Sequence, residues 1–177
     1  RPLEAWTWAL APRARRAVAA LAHDGGLRQA WRMLASPGGA WCAHACALWL
    51  WHVPALFNAA VAHASLHVLQ HACFLGTALL FWWSVLRQRT GLRSAGAMVS
   101  VFTTMLHTGA LGVLLALAAQ PSYIAAGQST ILGLTALEDQ QLGGLVMWVP
   151  GSLAYLAAGL WIAAAWLAPA RVQRDIA

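Results

Sequence analysis

Four long apolar runs are separated by connections that alternate between arginine-bearing and arginine-free, and this alternation constrains the chain more than any other feature. Arg1, Arg13, Arg15, Arg16, Arg28 and Arg32 precede the first run. Arg87, Arg89 and Arg93 follow the second, and Arg171 and Arg174 follow the fourth. The connections between runs one and two, and between runs three and four, carry no arginine. Positive residues collect in the short loops that stay on the cytoplasmic side of a multi-span protein. The pattern predicts an all-α membrane protein, a helical bundle of four transmembrane spans with the N and C ends cytoplasmic and two connections outside.

Composition agrees. The chain is 60% hydrophobic and 9% charged, whereas a soluble domain is about one-quarter charged. A net charge of +6 elsewhere would suggest nucleic acid. Here the basic residues sit at membrane boundaries, so the lipid bilayer is the expected partner and nucleic acid is not. Cys42, Cys46 and Cys73 are too few for a disulfide framework, and all lie inside apolar runs. The chain starts at Arg1 with no visible signal peptide, which is expected of a start partway into a longer gene product.

Three regions follow. Residues 1–36 mix Trp, Ala and Leu with arginine and contain no stretch of about 20 apolar residues, the length a span needs. The stretches at 11–22 and 27–34 read as short basic amphipathic helices at the cytoplasmic surface. Residues 37–168 form the four-span bundle, with spans at about 40–57, 65–86, 95–119 and 136–167, and 169–177 form a cytoplasmic tail. Pro54 is placed to end or kink the first span, and Pro150 to kink the fourth. Gly96, Gly109 and Gly112 in the third span, and Gly143 and Gly144 in the fourth, permit close helix packing. Thr135 followed by Glu138 fits a capping box at the start of the fourth span.

With this topology, polar residues sort by depth. His52 lies near the outer end of the first span, His63 in the outer connection, and His67 and His71 in the first turns of the second span. Glu138 and Asp139 begin the fourth span, and Met147 lies ~10 Å below that start at 1.5 Å per helical residue. These groups are expected to converge on the outer leaflet. His67 and His71 stand at i and i+4 on one helix face, a spacing that holds a metal ion or a proton-exchanging pair. Imidazole suits copper, zinc and iron, and a nearby thioether or thiolate favours Cu(I), for which Met147, Met105 and Cys73 are candidates. If the second helix starts before Ala62, His63 joins the same stripe.

His107, near the middle of the third span, is either an interhelical hydrogen-bond partner or a functional group, since water does not reach it by default. Glu138 and Asp139 are explained by capping and solvation, or act as a lure for cations. Cys42-Ala43-His44-Ala45-Cys46 looks like a metal motif, but on a helix His44 points away from the face the two thiols share. Small buried thiols are the expectation there. No Walker loop, dinucleotide-binding glycine pattern or nucleophile elbow is present, and no catalytic constellation is visible, so an enzyme is not expected.

Trp51-His52-Val53-Pro54-Ala55-Leu56-Phe57, then Leu66-His67 through His71, then Phe81-Trp82-Trp83, resemble the CtaG-like family of cytochrome c oxidase assembly factors. The segment from Leu137-Glu138-Asp139-Gln140-Gln141 through Met147-Trp148-Val149-Pro150 is the most specific part of the resemblance, and Pro121-Ser122-Tyr123 also fits. The resemblance covers roughly residues 31–167. It implies a multi-span protein of the bacterial plasma membrane that matures haem–copper oxidases, with oxidase subunits as partners and copper as cargo. It implies His52, His67, His71, Glu138, Asp139 and Met147 as the positions concerned. The family also has further spans upstream, including another His-rich helix. Three functions are therefore open: an assembly factor and copper chaperone acting at the outer face, a metal-free accessory subunit of an oxidase, and a membrane haem protein with axial histidines from different spans.

Overall fold

The computed structural model describes residues 25–87, 92–123 and 133–167, and among these the regular structure is entirely helical. Helix α1 spans Gly25–Leu34, α2 Pro37–Trp51, α3 Pro54–Ala62, α4 Ala64–Arg87, α5 Leu92–Ala116 and α6 Ala136–Leu167. The amphipathic stretch expected at 11–22, the arginines beyond Arg87 other than Arg93, and the tail lie outside the described residues. Helices α4 and α6, and α5 from Ser94 onward, are each long and apolar enough to cross a membrane. The pair α2 and α3 passes the same test only when taken together. This is the multi-pass helical bundle the arginine pattern predicts, with three uninterrupted candidate spans among the described residues and a fourth only if the bent α2–α3 pair counts as one.

The break has a local cause. Ser36 caps α2, its hydroxyl accepting the Gly39 N–H at 3.1 Å, and Pro37 occupies the first turn, where a missing N–H costs nothing. At the far end Val53 turns extended and Pro54 opens α3 in the same proline-first manner. The two axes differ by 75°. At about 1.5 Å per residue, the 15 residues of α2 span ~22 Å, short of the ~30 Å hydrocarbon core. A second interruption follows at His63, whose backbone is extended (φ −128°, ψ 115°). Its carbonyl accepts the His67 N–H at 3.0 Å and so starts α4. Helix α4 thus begins after Ala62, and His63 sits at the break rather than on the His67–His71 stripe.

The capping box at α6 forms in full. The Glu138 carboxylate accepts the Thr135 N–H and hydroxyl, both at 2.8 Å, and the Thr135 hydroxyl accepts the Glu138 N–H at 3.3 Å. From there α6 runs 32 residues and continues on both sides of Pro150. Its ~48 Å exceeds the hydrocarbon core, so it tilts or projects beyond it.

Helices α5 and α6 make the most extensive contact among the described helices. Gly112 and Gly144 are the reason: a Cβ on Gly144 would stand 2.6 Å from the Gly112 carbonyl oxygen, and one on Gly112 would stand 2.8 Å from that of Gly144. The backbones touch, which is how helices associate where lipid is as apolar as the side chains. Gly143, expected to do the same, faces open space. Adjacent helical positions are about 100° apart, so only one of the two glycines can meet α5.

Near the Arg87 end, Phe81 and Val85 of α4 pack with Ala97 and Val101 of α5 and Ile162 of α6. Around them Trp82 stacks on Tyr155, with centroids 5.7 Å apart and planes within 7°. Arg87 lies over Trp83 at 5.7 Å, a cation–aromatic pair of the kind that anchors a helix at the membrane interface. The outside of the bundle is apolar, with Val68, Leu75, Leu79, Leu114 and Leu160 all exposed, and lipid accounts for that. Cys42 and Cys46 belong to this outer surface and Cys73 is half-buried, which corrects the expectation of buried thiols. A small apolar group is as well accommodated by lipid as by protein, so burial is not enforced.

Candidate functional site

Where α2 gives way to α3, the bundle forms a half-open cavity of about 560 Å³. Its walls come from both halves of the chain: His52 and Phe57 from the bend, Tyr123 from the segment after α5, and Asp139, Gln140 and Met147 from the first turns of α6. Of the residues singled out by sequence, His52, Asp139 and Met147 are brought together here. An imidazole, a carboxylate and a thioether therefore line one space.

His52 is held in a defined orientation. Its Nδ1 lies 2.7 Å from the Leu48 carbonyl oxygen, one turn back on α2. A carbonyl can only accept, so Nδ1 carries the proton and Nε2 keeps its lone pair. Metal-binding histidines have this arrangement, the ring fixed and made more basic by an N–H donated to a backbone carbonyl. Phe57 and Phe74 flank the ring, with centroids 6.4 Å and 5.9 Å away.

Sequence reasoning missed the residues that build the cavity wall. Tyr123 is buried, donates its hydroxyl to the His52 carbonyl at 3.0 Å, and lies against Phe57 with centroids 4.1 Å apart. Burial raises its phenol above the ordinary tyrosine value. Gln140 accepts the Ser122 N–H through Oε1 at 2.7 Å, and Gln141 donates to the Ala118 carbonyl at 3.0 Å. These two amides fasten the start of α6 to the segment after α5. The Gln140 contact also fixes its amide orientation, since only the oxygen can accept, and leaves Nε2 buried with no partner at the cavity wall. The run Glu138-Asp139-Gln140-Gln141 thus divides its labour: the first residue caps, the second lines the cavity, and the last two tie segments together.

The other candidates lie elsewhere. His67 and His71 are neighbours, with ring centroids 4.4 Å apart, on an exposed face of α4 rather than in the cavity. His71 repeats the His52 device, its Nδ1 3.0 Å from the His67 carbonyl oxygen, so its Nε2 also keeps a lone pair. Glu138 is exposed and fully engaged in the cap. His107 is half-buried, edge-on to Trp41 at 5.6 Å, with both ring nitrogens buried and unpartnered. The interhelical hydrogen bond expected of it does not form among the described residues. His44, set aside by sequence, is also buried and stacks on Phe81 at 5.5 Å. Among the described residues, no three His, Cys, Asp or Glu side chains lie close enough to hold one metal ion.

The family model for the cytochrome c oxidase caa3 assembly factor matches residues 1–168. No curated protein and no solved structure matches the chain.

Proposed function

The chain belongs to the family of cytochrome c oxidase caa3 assembly factors, and from that premise we propose that it handles copper for a haem–copper oxidase at the outer face of a bacterial plasma membrane. The observation that carries this reading is the cavity that gathers His52, Asp139 and Met147. Their chemistry fits copper as cargo. A neutral imidazole with a free Nε2 and a thioether are donors that Cu(I) accepts, and a carboxylate at the rim draws cations inward. The donors are few, which suits an ion that must leave again.

His67 and His71 serve a second purpose in this reading. Imidazoles on the outside of a membrane bundle are costly against lipid, and such residues normally meet protein or water. They form the face at which an oxidase subunit docks and receives the ion, His71 offering its free Nε2. The chain itself catalyses no covalent step: it binds, orients and releases.

The test is oxidase copper content in cells carrying His52→Ala/Met147→Leu or, separately, His67→Ala/His71→Ala. Both variants should leave oxidase subunits accumulating with an unfilled copper centre, and added copper should restore activity at least in part. Wild-type copper loading in both double variants would remove these residues from the mechanism.

A further inference from the structure

Between α1 and α4 the outer surface of the bundle carries an open apolar groove of about 660 Å³, which shares no residue with the cavity at His52. Trp31 of α1 forms one wall, and α4 supplies the rest between Ala72 and Trp83. Gly76 makes the floor. A Cβ there would meet nothing within 4 Å, so the hollow is there because a side chain is missing. Thr77 gives its hydroxyl proton to the Cys73 carbonyl at 2.7 Å and so needs no acceptor from an occupant. Whatever lies in the groove is held along its length by apolar contact.

Length selects among the components of a membrane. The stretch from Ala72 to Trp83 rises ~16 Å, about half of the ~30 Å hydrocarbon core. That is the depth of one leaflet, the reach of one acyl chain. A partner helix crosses the whole core, and its contact would not stop at mid-membrane.

One end of the groove is charged. Arg87 lies over the Trp83 ring at 5.7 Å, so a guanidinium stands where the groove stops. On α1, Arg32 is next to Trp31 and Arg28 is one turn before it, and both are exposed. Residues 24–36 and 83–93 together hold five arginines against one acid, Asp24. The described carboxylates, Glu138 and Asp139, start α6, whereas this end of the bundle meets α6 at Ile162. Helix α1 also repeats its apolar residues at i, i+3, i+4 and i+7, with Leu27, Ala30, Trp31 and Leu34, as a helix at the headgroup level does. A guanidinium fork matches a phosphate, and the surplus of positive charge favours a headgroup that is anionic as a whole.

We propose that this groove binds one anionic phospholipid, an acyl chain lying over Gly76 between Trp31 and α4 and the headgroup phosphate resting against Arg87, with Arg28 and Arg32 adding positive charge. The lipid fastens α1, which packs mainly on α2, to α4 as well. The site stands whether or not the cavity at His52 binds copper.

The whole chain, delipidated in detergent, is titrated with phosphatidylglycerol or with phosphatidylcholine of the same acyl chains, and bound lipids are counted by native mass spectrometry. One phosphatidylglycerol should bind per chain, well below the concentration at which phosphatidylcholine does. Gly76→Leu, which has room for its side chain, should fill the groove and abolish this binding while leaving the melting midpoint of the lipid-free protein unchanged. Arg87→Gln should weaken phosphatidylglycerol about fivefold, the share of one basic residue near a lipid surface, and leave phosphatidylcholine as it was. If Arg87→Gln fails to fold, Gly76→Leu decides. Equal binding of the two lipids by the wild type, as an unselective lipid coat would give, overturns the proposal. So does phosphatidylglycerol binding that neither variant alters, or a dimer of the wild type that Gly76→Leu dissociates, since the groove then belongs to a second copy.

Discussion

Tyr123 shows how much a single hydroxyl organises. It donates to the carbonyl of His52, the residue where α2 ends, and its ring covers Phe57 on the other side of the bend. Tyr123→Phe keeps the ring and removes only the hydrogen bond, so unfolding free energy in detergent should fall by about 0.5–1.5 kcal/mol. The raised phenol value gives this a pH signature. The folded chain resists ionisation more than the unfolded chain does, so the contribution is complete below the unfolded phenol's value. It is lost as pH rises from there through the folded value. Alkaline destabilisation should be steeper in the wild type than in Tyr123→Phe, and equal slopes would contradict the assignment. At this scale the sequence was partly legible. The histidine, carboxylate and thioether of the cavity stood out because ionisable or soft groups are scarce in apolar spans. His44 did not. The face argument that separates it from Cys42 and Cys46 holds, since those thiols are on the outer surface and His44 is buried. What that argument leaves out is that the face opposite lipid is the interior. The amides of Gln140 and Gln141 were illegible for another reason: their donor and acceptor, Ser122 and Ala118, come from a different segment.

Among the elements, the α5–α6 pair depends on one contact between backbones. A Cβ on Gly144 would lie 2.5 Å from the Ala116 nitrogen, so Gly144→Ala must push the helices apart, whereas Gly143 next door faces open space. Gly144→Ala should cost about 1–3 kcal/mol, the usual range for overpacking. Gly143→Ala should stay within about 0.5 kcal/mol of wild type. Denaturation midpoints of the two variants, compared in the same detergent, check this, and equal loss in both would refute the geometry. The existence of these helices was plain from apolar run length, and the start of α6 from its capping residues. Which of two adjacent glycines meets the neighbour was not, because that depends on the rotation of α6 about its own axis. Likewise Pro54 marks the break in the first span, but its 75° turn follows from how α3 settles on α4.

For the whole molecule, orientation is the property on which every statement about an outer face rests. The arginine-free connections at residues 58–64 and 120–136 are expected outside. Cysteine placed at Ala62 or Gly127, with Cys42, Cys46 and Cys73 replaced, should react with a membrane-impermeant reagent in intact cells. Reaction only after permeabilisation would invert the topology and place the cavity on the cytoplasmic side. The cavity also has a history in time. Its walls come from the α2–α3 bend and from the first turns of α6, so early and late parts of the chain meet there. During synthesis, His52 enters the membrane long before Asp139 and Met147 leave the ribosome. A nascent or truncated chain that lacks α6 has no cavity to offer. On the proposed reading, the space that would hold the ion is therefore completed only once α6 has been inserted.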